Sequence, residues 1–149
     1  MKIAIATDHN GVEQKKEIIK ILNEYEFLDK SPVNTSTDDY PDFAFKVANS
    51  IVNKEAEFGI LLCGTGIGMS IAANKVKGIR CAHCSNLDQA FLARSHNNAN
   101  IIALSYKQDL QEIIEMIRTF LTTSPSEEEK HHRRVQKIID YERGTYNEL

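Results

Sequence analysis

The chain has 149 residues, 42% of them apolar and 26% charged, with a formal net charge of −3. That length suits one domain, 1–149, with one substantial core. Mild acidity speaks against a nucleic-acid partner, which selects a basic excess, and no apolar run is long enough to cross a membrane.

Lys2 to Ala6 is predicted as a first strand. It runs into a polar turn at Thr7-Asp8-His9, too soon for a secretory apolar segment, so the protein is expected in the cytoplasm. From Gly11 to Tyr25, Ile18, Leu22 and Tyr25 recur at helical spacing. Glu26 to Asp29 is a short second strand, and the Ser, Asn, Asp and Pro of 31–40 make a loop. Phe43, Val47 and Ile51, with Ala44, Ala48 and Val52, stripe a second helix. Phe58-Gly59-Ile60-Leu61-Leu62 is continuously apolar and stops at Cys63, the pattern of a strand buried on both faces. Gly64 to Gly68 is a turn, Met69 to Val76 a helix, Ile79 to Cys84 a strand, Asn86 to Arg94 a helix and Asn100 to Leu104 a fifth strand. Leu110, Ile113, Ile114, Ile117 and Leu121 stripe the next helix. Ser126 with Glu129 reads as a capping box opening a last helix to about Tyr141. Strands alternating with helices predict an α/β fold, a doubly wound, Rossmann-like, five-stranded parallel sheet with an extra C-terminal helix. That last helix follows another with no strand between, so it is free to pack on a second subunit.

Ligands of open parallel sheets bind beyond the carboxyl ends of the strands. Asp8 and His9 follow the first strand there, and Cys63 with its glycine loop follows the third. His96 and Asn97 precede the fifth strand, so they start at the opposite rim and could serve a neighbour's site in an oligomer.

The loop Cys63-Gly64-Thr65-Gly66-Ile67-Gly68 carries most of the chemical information. Alternating glycines let backbone N–H groups converge without Cβ interference, and the following helix adds its positive end, which suits an anion. The spacing is neither a dinucleotide fingerprint nor a Walker motif, and a tight strand-to-helix turn would use the same glycines. Thiols at helix starts are the reactive ones, as nucleophile or proton acceptor. A buried, inert cysteine is the commoner case for a lone Cys.

Cys81-Ala82-His83-Cys84 contains a C-x-x-C without a second pair, and its cysteines face opposite ways on a strand, which disfavours zinc or redox use. An odd count of three cysteines argues against a disulfide framework. Lys130 and Arg134, four apart, share one helical face and could clamp a phosphate, though on these residues alone a solvated face pairing with Glu127 or Glu129 is the favoured reading. His131 and His132 read as mostly solvated.

Ala6-Thr7-Asp8-His9, Tyr40-Pro41-Asp42, the run from Cys63 to Val76, and His96-Asn97 followed by Ala99-Asn100 occur in order. Together they resemble the ribose-5-phosphate isomerase B family, which also includes galactose-6-phosphate isomerase subunits and allose-phosphate isomerases. The resemblance implies an aldose–ketose isomerase working through an enediolate, with a small phosphorylated sugar as partner. It also implies a homodimer or homotetramer with sites shared between subunits, and it calls for no cofactor and no metal. Cys63 matches the proton-abstracting base. Thr65 and the loop at Gly64, Gly66, Ile67 and Gly68 match the anion hole. His96 matches the residue that opens the sugar ring, and Asn97 its neighbour. Asp8 and His9 match further substrate contacts, and Lys107, Lys130 and Arg134 match the phosphate site. The family usually carries Arg at positions 107 and 130, where lysine keeps the charge but loses the bidentate fork. Ser31 and Ser105 stand where Gly is usual, Asn98 where Asp is common, and Asn10 where a small residue is usual.

Overall fold

The computed structural model describes residues 1–148. Five parallel strands, β1 (Lys2–Thr7), β2 (Glu26–Asp29), β3 (Phe58–Cys63), β4 (Cys81–His83) and β5 (Ile101–Ser105), form one sheet in the order β2-β1-β3-β5-β4. Between and after them run α1 (Val12–Ile21), α2 (Tyr40–Val52), α3 (Ile67–Ala73), α4 (Leu87–Ser95), α5 (Leu110–Thr122) and α6 (Glu129–Arg143). The fold is thus the expected α/β sheet with an additional C-terminal helix.

Strand alternation sorts the core into two layers. Ile3, Ile5, Ile60, Leu62, Ile102 and Leu104 point to the side of α1, α4 and α5. Ala4, Ala6, Leu61, Cys63, Ile101 and Ala103 point to the side of α2 and α3. Each fully buried Ile or Leu contributes about 1.5–3 kcal/mol over its exposed state. The continuous apolar run of β3 is what its central place, covered on both sides, requires.

The chain leaves β1 toward β2 on one side, while β3 pairs with β1 on the other. The order of the sheet therefore switches between the carboxyl ends of β1 and β3, where a parallel sheet leaves a crevice. Thr7 pairs with Leu62, which sets Asp8 and Cys63 side by side at that crevice.

Several element boundaries differ from expectation, most of them by a residue or two. β4 is three residues long rather than six: it is an edge strand, and the Asn74 side chain bonds both the N–H and the C=O of Cys81, capping its open edge. α1 ends at Ile21, where Leu22 caps it and a turn carries the chain to Tyr25. α3 begins two residues early, so Ile67 and Gly68 form its first turn. Ser126 does not cap α6. Its hydroxyl accepts from the Glu128 N–H at 3.1 Å, and Glu128 is the N-cap, with no side-chain capping bond.

Candidate active site

Gly66 sits in the left-handed region at φ 83°, and that turn brings its N–H to Cys63 Sγ at 3.1 Å. Thr65 Oγ1 accepts from the Ile67 N–H at 3.1 Å. The N–H groups of Gly64, Gly68 and Met69 engage no acceptor among the described hydrogen bonds; for Gly68 and Met69 that is what the first turn of a helix leaves. Cys63 is 6% exposed, at the floor of this loop. Burial pushes the Cys81 thiol to about 12 and the Cys84 thiol to about 11, so neither is an anion at neutral pH. The two face opposite layers, and among the described residues no His, Cys, Asp or Glu cluster could hold a metal.

Three aromatic rings that the sequence pattern does not reveal wall the loop. A Cβ at Gly68 would lie 2.5 Å from Cζ of Tyr40, and one at Gly66 would lie 2.8 Å from Cδ2 of His83. Tyr106, just past β5, reaches over Gly11 and toward Gly64. Its phenol is pushed above its usual value by burial, then by the charge of Asp8 and the nearness of Cys63, against a hydrogen bond with Asn10. Tyr106 therefore sits among Asp8, Asn10 and Cys63. An aromatic one residue beyond a strand, next to the strand bearing the cysteine, was the available signal. Ser105 ties two segments of the rim together. It donates to the Gly64 carbonyl at 2.8 Å and accepts from the Lys107 N–H at 3.1 Å, pinning the Lys107 turn to the cysteine loop.

Asp8, His9, Cys63, Gly64 to Gly68 and Lys107 thus share the carboxyl rim. His96 and Asn97 lie at the opposite rim, where His96 caps the end of α4. There the His96 ring stacks on His131 at 3.9 Å between centroids, with 13° between planes. His131 is 7% exposed, which corrects the expectation of a solvated residue. Burial lowers the His131 pKa, and the proximity of His96, Lys130 and Arg134 lowers it further, against Glu128. A cavity of about 200 Å³ opens beside the stack, lined by Ser95, Ser126, His132 and Val135 among others. Lys130 lies 3.5 Å from Glu128, and Arg134 extends beside it on the exposed face of α6. The chain therefore does not bring the three predicted phosphate cations together: Lys107 lies with Cys63, Lys130 and Arg134 with His96.

A family model described as ribose/galactose isomerase matches residues 3–138. The ribose-5-phosphate isomerase B of Escherichia coli is 39% identical over 143 residues, covering 95% of this chain and 96% of that one. The structure of type B ribose 5-phosphate isomerase from Trypanosoma cruzi superposes with a TM-score of 0.91 at 42% identity, covering 97% of this chain and 99% of that chain. That of ribose-5-phosphate isomerase B from Mycoplasma genitalium, with bound ribulose-5-phosphate, gives 0.88 at 42% identity, covering 95% and 96%.

Proposed function

This chain belongs to the ribose/galactose isomerase family, and from that membership we propose that it interconverts ribose 5-phosphate and ribulose 5-phosphate with Cys63 as the base. The Cys63 thiolate takes the proton from C2 of the open-chain aldose, and the C1 carbonyl becomes an enediolate oxygen. The N–H groups of Gly64 and Gly68 and the Thr65 hydroxyl stabilise that oxygen; one such preorganised donor contributes about 3–4 kcal/mol. The thiol then returns the proton to C1, and the proton on O2 passes to O1, leaving a hydroxyl at C1 and the ketone at C2. The observation that supports this reading is the sulfur held at 3.1 Å by the Gly66 N–H beneath amides that engage nothing else.

Ring opening requires a second group, and His96 stands at the far rim of the same chain. In this reading His96 and Asn97 of a second copy face the Cys63 loop, and Lys130 and Arg134 of that copy join Lys107 around the phosphate. The surfaces suit such a pairing. Ile67 and Ile71 beside the cysteine loop are 51% and 58% exposed, and Ile138 and Tyr141 on α6 are 50% and 75% exposed. Two apolar strips beside two half-sites are what a two-fold assembly buries reciprocally.

The test is turnover of ribose 5-phosphate, allose 6-phosphate and galactose 6-phosphate by wild type and Cys63→Ala. The five-carbon sugar is expected to be the best substrate, and the variant to lose at least about a thousandfold in kcat while still binding it. A six-carbon preference would change the substrate, and near-normal turnover by the variant would remove Cys63 from the role.

A further inference from the structure

Residues 31–39, between β2 and α2, are bound to the end of β1 by a chain of hydrogen bonds. The Thr7 N–H donates to Ser31 Oγ at 3.0 Å, and Asn34 Nδ2 donates to the Thr7 carbonyl at 3.0 Å. The same Asn34 amide donates to Asp38 Oδ2 at 2.9 Å, and the Thr35 N–H donates to that oxygen at 3.2 Å. Asp38 Oδ1 accepts from the His9 N–H at 3.2 Å and lies 2.7 Å from His9 Nδ1. Four donors converge on one carboxylate that is 10% exposed, while the His9 side chain is 34% exposed. Burial opposes the charge on Asp38, but the donors from His9, Asn34 and Thr35 outweigh it and hold the carboxyl below its ordinary value.

An ionised carboxylate only accepts, so His9 Nδ1 must carry the hydrogen between them. The partner of one imidazole nitrogen decides what the other presents. Here Nε2, across the ring from Asp38, is the nitrogen left for a ligand. β1 and β3 are neighbours, about 4.8 Å apart as paired strands are, and Thr7 pairs with Leu62, so His9 rises beside the cysteine loop.

We propose that Asp38 is a positioning residue for the substrate, locking the His9 ring so that Nε2 addresses the sugar phosphate held at the Cys63 loop. The proposal rests on the reading of His9 as a substrate contact. Ser31 and Asn34 anchor the device, which gives the serine at position 31 a purpose that a glycine could not serve.

The test combines steady-state kinetics on ribose 5-phosphate with long-range proton–nitrogen spectra of the histidine rings. Asp38→Ala raises KM about tenfold and leaves kcat within about twofold, because the ring is released while the chemistry at the sulfur is untouched. In a His9→Ala background the same change adds nothing, the signature of action through His9. Well above neutral pH, the wild-type His9 carries its proton on Nδ1, and Asp38→Ala moves it to Nε2. Asp38→Asn, of similar volume, shifts KM in the same direction by less and serves if the alanine variant does not fold. An equal KM rise with His9 absent, or an unchanged tautomer, makes Asp38 a loop anchor and overturns the proposal. A raised KM in His9→Ala beside an unchanged one in Asp38→Ala overturns the proposal alone. An unchanged KM in His9→Ala removes His9 from the substrate site and takes the proposal with it.

Discussion

At Gly66 a positive φ and a close approach coincide. A Cβ there would stand 2.8 Å from His83 Cδ2, 3.1 Å from the Leu104 carbonyl carbon and 3.2 Å from the Ala103 oxygen, and backbone atoms cannot swing aside. Gly66→Ala therefore combines left-handed strain of about 1–2 kcal/mol with a clash. It is expected to lower Tm by about 4–8 °C and, by displacing the N–H that holds Cys63 Sγ, to cut kcat at least about tenfold. Gly144→Ala is the control: φ is 77° but nothing lies within 4 Å of the added carbon, so it costs stability and leaves kcat alone. Thermal melts and kcat on both variants check this. The spacing of the glycines pointed to the turn, because only glycine relieves such a backbone. The rings of Tyr40, His83 and Tyr106 were not legible, because each reaches the loop from a distant part of the chain, and neither was the bond of Asp38 to His9, 29 residues away. Local pattern carries no record of that approach.

Helix α6 shows the same divide between local and tertiary information. Its existence was legible, although the capping box read at Ser126 is not what starts it. Its docking was not, because only His131 and Val135 on it are buried, too few to form a readable apolar stripe. His131 seats the helix by stacking on His96. Its folded pKa lies below the ordinary 6.5, so the undocked state binds more protons as pH falls. Stability from this contact is present above about 6.5 and is lost on acidification through the lower, folded value. Amide exchange along α6, corrected for intrinsic rates, should quicken between pH of about 7.5 and about 5.5. His131→Phe, which stacks but does not titrate, should abolish that dependence; an unaltered dependence would place the titration elsewhere. Among the strands, β3 was readable as a continuous apolar run, and β5 was placed to within a residue. β4 was overextended, because its shortening depends on the Asn74 side chain closing its edge.

The whole molecule carries two groups of candidate site residues on opposite rims of one sheet. One holds Cys63, its amides, Asp8, His9 and Lys107; the other holds His96, Asn97, Lys130 and Arg134. The separation was foreseeable from the place of His96 before the fifth strand, since parallel topology fixes the rim on which a residue starts. If two copies complete one another, two differently disabled chains should rescue each other. Cys63→Ala and His96→Ala chains, each at least about a hundredfold impaired alone, can be co-expressed with different tags and purified through both. A mixed dimer then carries one site with both wild-type residues and one with neither, so about half of wild-type kcat per dimer should return. Mixed dimers no more active than their parents would contradict a site shared between subunits.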